Sequence, residues 1–317
     1  MSDFDPAKHP RDPAGTPVGG RFISFTHGSE LEMKNRPLTV AEEELNDLRF
    51  DKVLKKWVKK NGEPVSDATA ARLKAAGAKP GYAPIALNPD PSAPLQARGI
   101  DRKGDTQYMY SKEHSEVAAA EKFARLRDFN KALPGIRRDI AAAPGDSALV
   151  LSIIDATGIR IGSEKDTLHE AYGASTLLGQ HIELGAGGKV SLNFSGKHGQ
   201  TNIAEFSDAR IHDALAAKKL GPNDRAFATT DSGVRRAMKS ITGHADFSPK
   251  DFRTWTGTAT ALIEVAKYPM PKTKDEEQHL RTLVSKVVAA KLNNTPAVAL
   301  KDYIDPAVWK RWGKKKP

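Results

Sequence analysis

Residues 181–206 read HIELGAGGKVSLNFSGKHGQTNIAEF, and this stretch decides how the chain divides. Three short runs alternate apolar and polar residues: His181-Ile182-Glu183-Leu184, Lys189-Val190-Ser191-Leu192-Asn193-Phe194 and Thr201-Asn202-Ile203-Ala204-Glu205-Phe206. Such alternation puts every second side chain on one face and predicts half-buried antiparallel strands. Gly185-Ala186-Gly187-Gly188 and Ser195-Gly196-Lys197-His198-Gly199 supply the turns, because glycine reaches backbone conformations that tight turns need. Lys197 therefore sits at a hairpin tip, where a long side chain can enter a groove or simply be solvated.

On both sides of this β insertion the hydrophobic period becomes helical. Upstream, Val117, Phe123, Leu126 and Phe129 recur at three- and four-residue intervals, predicting a helix over 113–131 that Pro134 and Pro144 interrupt. Asp146 is placed to cap a strongly apolar helix that carries Leu149, Val150, Leu151, Ile153 and Ile154 and ends near Gly158. Directly after it, Arg160 lies between Ile159 and Ile161. A guanidinium drawn toward a core needs a partner, and Asp155 and Glu164 are the local candidates.

Downstream, helices are predicted over 209–219 and 232–242. Ser248-Pro249 then opens another, with proline at its first position, Asp251 in its first turn and Arg253 close to backbone N–H groups that favour an anion. That helix runs to about residue 267, and a further one covers 275–291. The stretch LNNTPAVALKDYID, residues 292–305, follows and holds Tyr303 in a partly helical segment. By itself such a tyrosine is an ordinary packing residue.

The first half differs. Residues 1–35 are rich in Pro, Gly and charge without a hydrophobic period, as in a flexible arm. Asn61-Gly62 marks a hairpin, and Asp67 is expected to cap a short helix through Ala75. A second hairpin joins Leu95–Ile100 to Thr106–Tyr110 through a turn over 101–105. Tyr108 and Tyr110 share one face of the last strand, with Lys112 next on that face and Gln107 on the other or at the margin.

The chain has 317 residues, enough for about two domains, with 39% hydrophobic residues and a formal net charge of +10. A pI near 9.5 favours a polyanionic partner, nucleic acid first. There is no apolar run long enough for a membrane span and no secretory layout at the N-terminus. Cysteine is absent, which removes disulfides, thiol catalysis and Cys-based zinc sites and fits a reducing compartment.

Taken together, QYMYSKEH (107–114), GIRIG (158–162), SGKHG (195–199), KDFRTWTGT (250–258) and NNTPAVALKDYIDPAVW (293–309) resemble the type IB DNA topoisomerases of the small poxvirus-like and bacterial branch. The resemblance spans roughly residues 46–312. It implies an α+β architecture: a small β-rich N-terminal domain and a mainly α-helical catalytic domain with a β-hairpin insertion, closing as a clamp on duplex DNA. The expected layout is an arm over 1–35, a DNA-binding domain over 36–115 and a catalytic domain over 116–317.

The resemblance also implies roles. Tyr303 attacks a DNA phosphodiester to leave a 3′-phosphotyrosyl enzyme, Arg160 and Arg253 clamp the nonbridging oxygens, and Lys197 protonates the departing 5′ oxygen. Asn294 stands where poxvirus enzymes carry histidine and is expected to donate a neutral hydrogen bond to the phosphate. Gln107, Tyr108, Tyr110 and Lys250 are expected to contact DNA, although Asp105 stands where relatives tend to be basic. No cofactor or metal is expected, since no carboxylate or histidine cluster has metal-ligand spacing. The expected partner is double-stranded DNA, held by a monomer in the cytoplasm, in a bacterial or virus-encoded setting.

Two other readings share parts of this pattern. A tyrosine recombinase uses the same chemistry but usually has His-x-x-Arg where this chain has Lys250-Asp251-Phe252-Arg253. A non-catalytic basic DNA-binding protein accounts for the charge but not for the set of polar residues.

Overall fold

The computed structural model describes residues 45–102 and 104–312, so the arm expected over 1–35 lies outside the described residues. The chain divides into two units, Met1–Glu121 and Lys122–Pro317.

In the first unit, β1 (Arg49–Asp51) pairs antiparallel with β2 (Lys56–Val58). The Asn61-Gly62 turn brings the chain back, with Val65 N donating to the Trp57 carbonyl at 3.0 Å. Helix α1 (Asp67–Ala75) is capped by Ser66, whose hydroxyl accepts from Thr69 N, rather than by Asp67. The reason is one residue of backbone: Ser66 is still extended, while Asp67 is already helical and serves as the first-turn anion. Strands β3 (Ile85–Leu87), β4 (Leu95–Ile100) and β5 (Thr106–Tyr110) form an antiparallel sheet in that order. The predicted hairpin is present, and β3 is an addition to it, too short to show a period. Leu48, Leu73, Ile85, Leu87, Ala97 and Met109 make this unit's core.

Helix α2 (Lys112–Ala142) corrects two expectations. Lys112 does not continue the tyrosine face, because Ser111 accepts from His114 N through its hydroxyl and from Ser115 N through its carbonyl, turning the chain into the helix. Pro134 does not end the helix either. An interior proline costs about 3 kcal/mol. Phe129 and Leu133 are buried before it and Ile136 and Ile140 after it, and the last two, at about 1.5–3 kcal/mol each, would be lost if the helix stopped at the proline.

In the second unit, α3 (Asp146–Thr157) is buried along most of its length, from Ala148 to Ile154. Its N-cap is Gly145, without a side-chain cap bond. Asp146, expected as the cap, instead accepts from Ala228 N at 2.6 Å and from Lys218 at 2.8 Å, ligands supplied by distant segments. After the short α4 (Glu164–Thr167) come β6 (Ile182–Gly185), β7 (Lys189–Ser195) and β8 (Thr201–Ser207), an antiparallel meander in register Ile182↔Leu192 and Asn193↔Ile203. Val190, Leu192 and Phe194 point into the same core as α3.

Five helices follow: α5 (Ala209–Lys218), α6 (Asp231–Thr242), α7 (Pro249–Val265), α8 (Lys274–Leu292) and α9 (Pro296–Asp302), then a 3-10 segment over Pro306–Arg311. Helix α7 joins two cores. Phe252 belongs to the large one with Phe129, while Ala261 and Val265 belong to a second one with Val284, Val288, Tyr303, Ile304 and Trp309. Among the described residues no helix is long and apolar enough to cross a membrane.

Candidate active site

Arg160 is aimed by its neighbours. Gly158, at φ 72°, ends α3 in the left-handed conformation and releases the chain into an extended run. Ile159 and Ile161 pack into the large core, so the residue between them points the other way. The run is fixed by Ala174 N donating to the Arg160 carbonyl at 2.8 Å and Ser175 N to the Ile161 carbonyl at 2.7 Å. Gly162 lies against the backbone of Gly173 so closely that a Cβ on either would collide. The Arg160 guanidinium donates to Asn294 Oδ1 at 2.7 Å. The two local carboxylates are engaged elsewhere, Asp155 with Arg137 and Glu164 with Arg225, both through paired bonds of 2.8 and 2.9 Å.

Arg253 is held by the start of α7. Ser248 precedes Pro249 at the first helical position, and the Asp251 carboxylate accepts from Ser248 N at 2.7 Å and from its hydroxyl at 2.9 Å. Asp251 is buried and also faces Arg125 at 3.3 Å. Phe252 meets Phe129 edge to face, with centroids 5.1 Å apart. Arg253 is only 3% exposed. It donates to the carbonyls of Gly158 and Leu292, one at the end of α3 and the other at the end of α8. The partial negative charge of two helix C-termini thus offsets a buried guanidinium that has no described carboxylate contact. Burial draws Arg253 below its usual pKa, and the like charge of Arg160 works with it, against the opposing effect of Tyr303. Its Nε remains buried without a partner.

Tyr303 ends α9 and is 7% exposed. Its ring lies 5.2 Å from the Arg253 guanidinium carbon. Its carbonyl accepts from the Thr258 hydroxyl at 3.0 Å, and the Thr258 hydroxyl oxygen accepts in turn from Asp305 N at 3.1 Å. Gly257 allows the approach: a Cβ there would lie 2.8 Å from both Tyr303 Cβ and its carbonyl oxygen. Burial works to raise the phenol, but the Arg253 charge and hydrogen bond, with Lys250 and Arg160, outweigh it and hold the phenol below its ordinary value. Gly257 and Thr258 were not singled out in the sequence, although both lie in the KDFRTWTGT run.

Asn294 arrives from the C-terminus of α8, where Asn293 takes the left-handed conformation and Asn294 N bonds the Ala289 carbonyl at 2.9 Å. With Oδ1 given to Arg160, its Nδ2 is a buried donor with no protein partner. Such a donor is free for a ligand acceptor.

Five sequence-predicted residues therefore converge: Arg160, Lys250, Arg253, Asn294 and Tyr303. Lys197 is not among them. It lies exposed in the turn between β7 and β8, held by Gly196 N donating to Gln200 O at 2.8 Å, and no described contact joins it to Tyr303.

In the first unit, Tyr108 and Tyr110 are 36% and 40% exposed on the face opposite buried Met109. Tyr110 stacks on His114 with centroids 5.0 Å apart. Gln107 donates to Asp101 at 2.8 Å, and Asp101 also accepts from Asp105 N, so the turn is braced. Among the described residues, no three His, Cys, Asp or Glu side chains gather as metal ligands do.

Residues 111–313 match the family described as eukaryotic DNA topoisomerase I, catalytic core. DNA topoisomerase 1B of Acanthamoeba polyphaga mimivirus is 26% identical over 271 residues, covering 77% of this chain and 80% of that protein. Two solved structures of the XerH site-specific recombinase, a pre-cleavage complex bound to difH substrate and a post-cleavage complex bound to palindromic difH substrate, are each 15% identical. They align over 57% and 59% of this chain, with TM-scores of 0.37 and 0.36. The chain spans about half the length of each, 52% and 49%.

Proposed function

This chain belongs to the family of the eukaryotic DNA topoisomerase I catalytic core, the type IB topoisomerases, and from that premise we propose how its own residues carry the reaction. The protein is an isomerase that acts on DNA. Tyr303 is the nucleophile. Its phenol loses a proton and attacks a backbone phosphorus; the bond to the 5′ oxygen breaks, leaving a 3′-phosphotyrosyl enzyme and, after proton transfer, a 5′-hydroxyl. The phosphodiester energy stays in the covalent bond, so resealing needs no nucleotide. The nicked strand rotates about the intact one, which has no preferred sign, so positive and negative supercoils both relax.

Arg160 and Arg253 supply planar forks to the nonbridging oxygens, and Asn294 adds its unpartnered amide N–H. Lys250 contributes charge and DNA contact. Lys197 swings in from its hairpin to protonate the 5′ oxygen, a motion that its exposed tip allows. Gln107, Tyr108 and Tyr110 lie along the duplex, and a single copy grips one duplex as a clamp.

One observation carries this reading: the Arg253 guanidinium stands 5.2 Å from the ring of a tyrosine whose phenol is held below its usual pKa by three cationic side chains. The test is incubation of supercoiled plasmid with the protein, without magnesium or ATP, and quenching with SDS. Topoisomer ladders and a covalent adduct that Tyr303→Phe abolishes are expected. Recombined products, or relaxation by the Phe variant, would overturn the assignment.

A further inference from the structure

Lys122 lies outside the catalytic set but close to its centre. Half-buried on α2, it donates from Nζ to the carbonyl of Asp302 at 2.9 Å, across 180 positions of sequence. Its ammonium also lies 4.4 Å from the centroid of the Phe123 ring. The accepting carbonyl belongs to the last residue of α9, where a helix leaves its backbone oxygens without partners and where a cation is favoured.

The position of that carbonyl matters. Asp302 and Tyr303 contribute the two carbonyls that flank the Tyr303 Cα. Thr258 holds the second at 3.0 Å, and Lys122 holds the first. With both adjoining peptides tied down, the direction in which the tyrosine leaves the backbone is set from two sides. A solvated surface lysine has no comparable bond, and fixing this one costs side-chain rotamer entropy that the bond offsets.

We propose that Lys122 is a positioning residue for Tyr303: it anchors the Asp302–Tyr303 peptide and adds positive potential beside the phenol. This rests on Tyr303 being the nucleophile. The ionic groups facing Lys122 are Arg125 from its own helix, Lys250 from α7, and Asp302 and Tyr303 from the end of α9. Burial lowers its pKa, and Lys250 and Arg125 add to that, outweighing Asp302 and Tyr303.

The experiment is single-turnover cleavage of a duplex oligonucleotide, trapped with SDS across pH, for wild type, Tyr303→Phe, Lys122→Met, Lys122→Gln and Lys122→Arg, with DNA affinity and Tm measured alongside. Lys122→Met is expected to cleave about 10- to 100-fold more slowly, as a misplaced reacting group does, with DNA affinity and Tm held. Its alkaline-rising limb should also move to higher pH. Lys122→Gln keeps a donor without charge, so it should recover much of the plateau rate but leave the limb displaced. Lys122→Arg should recover both. Wild-type cleavage by Lys122→Met with an unmoved limb overturns the proposal, and so does a loss matched by equal losses of affinity and Tm. If wild type forms no adduct, or Tyr303→Phe still does, the failure lies in the nucleophile assignment instead.

Discussion

The Thr258 hydroxyl donates to the Tyr303 carbonyl at 3.0 Å and accepts from Asp305 N at 3.1 Å, so one side chain of α7 fixes the backbone on which the proposed nucleophile stands. Five residues earlier on the same helix, Arg253 faces the Tyr303 ring. A single rigid element thus sets the tyrosine and the cation beside its ring. Pre-organisation of this kind lowers the barrier because the donors need not reorganise during reaction.

Thr258→Val keeps the shape and removes the hydroxyl. Both of its hydrogen bonds are lost, at about 0.5–1.5 kcal/mol of stability each, and the Tyr303 carbonyl and Asp305 N–H left behind raise that cost. Thermal unfolding should show this modest loss, while single-turnover cleavage falls by a larger factor. Equal rates for the two proteins would separate Thr258 from positioning.

Gly257→Ala places a Cβ 2.8 Å from Tyr303 Cβ and from its carbonyl. Overpacking of this kind costs about 1–3 kcal/mol. Because the obstruction lies under the proposed nucleophile, SDS-trapped adduct should fall more steeply than Tm. Wild-type adduct levels in Gly257→Ala would show that the tyrosine tolerates the shift.

The Tyr303 phenol is held below its ordinary value of about 10, so at any pH beneath that value the phenolate fraction exceeds that of a free tyrosine. Cleavage should therefore rise with pH and reach its plateau below the range of an unperturbed phenol. Removing a cation has the opposite sign: Arg253→Gln should move the limb to higher pH as well as lowering the plateau. A pH–rate profile of both proteins checks this.

Asn294 accepts from Arg160 and keeps a buried, unpartnered amide nitrogen. Asn294→Asp retains the acceptor but brings a negative charge to the place proposed for a phosphate. Cleavage should fall by about 10²- to 10³-fold, the scale of losing a transition-state donor, with little change in Tm. Unchanged cleavage in Asn294→Asp would mean that the amide does not meet the phosphate.

Lys197 stands in an exposed turn, which suits an acid that engages only with DNA in place. If it protonates the leaving oxygen, Lys197→Ala should be far slower on ordinary DNA but close to wild type on a substrate whose 5′ leaving atom is sulfur, since a thiolate departs without an acid. Equal defects on both substrates would assign Lys197 to binding.

Much of the layout was legible because it rests on local rules. The β7–β8 hairpin followed from alternation and glycine turns, and the start of α7 from Ser248, Pro249 and Asp251. Where local rules failed, distant packing had intervened. Pro134 stays within α2 because Phe129, Leu133, Ile136 and Ile140 bury on both sides of it. Asp146 leaves its cap for Lys218 and the Ala228 amide.

The sequence alone determined which residue types stand ready for phosphoryl chemistry, and on which elements, since periodicity, caps and turns act within a few residues. Only the tertiary structure decided their partners. Arg160 bypasses Asp155 and Glu164, both already bound to other arginines, and meets Asn294 across 134 positions. Arg253 finds no described carboxylate contact and is offset by the C-termini of α3 and α8. Lys122, without a motif to mark it, reaches the Asp302 carbonyl just before Tyr303. The physical reason is common to all three: a buried charge is stabilised by whatever polar group the fold brings within about 3 Å, and sequence separation does not enter that energy.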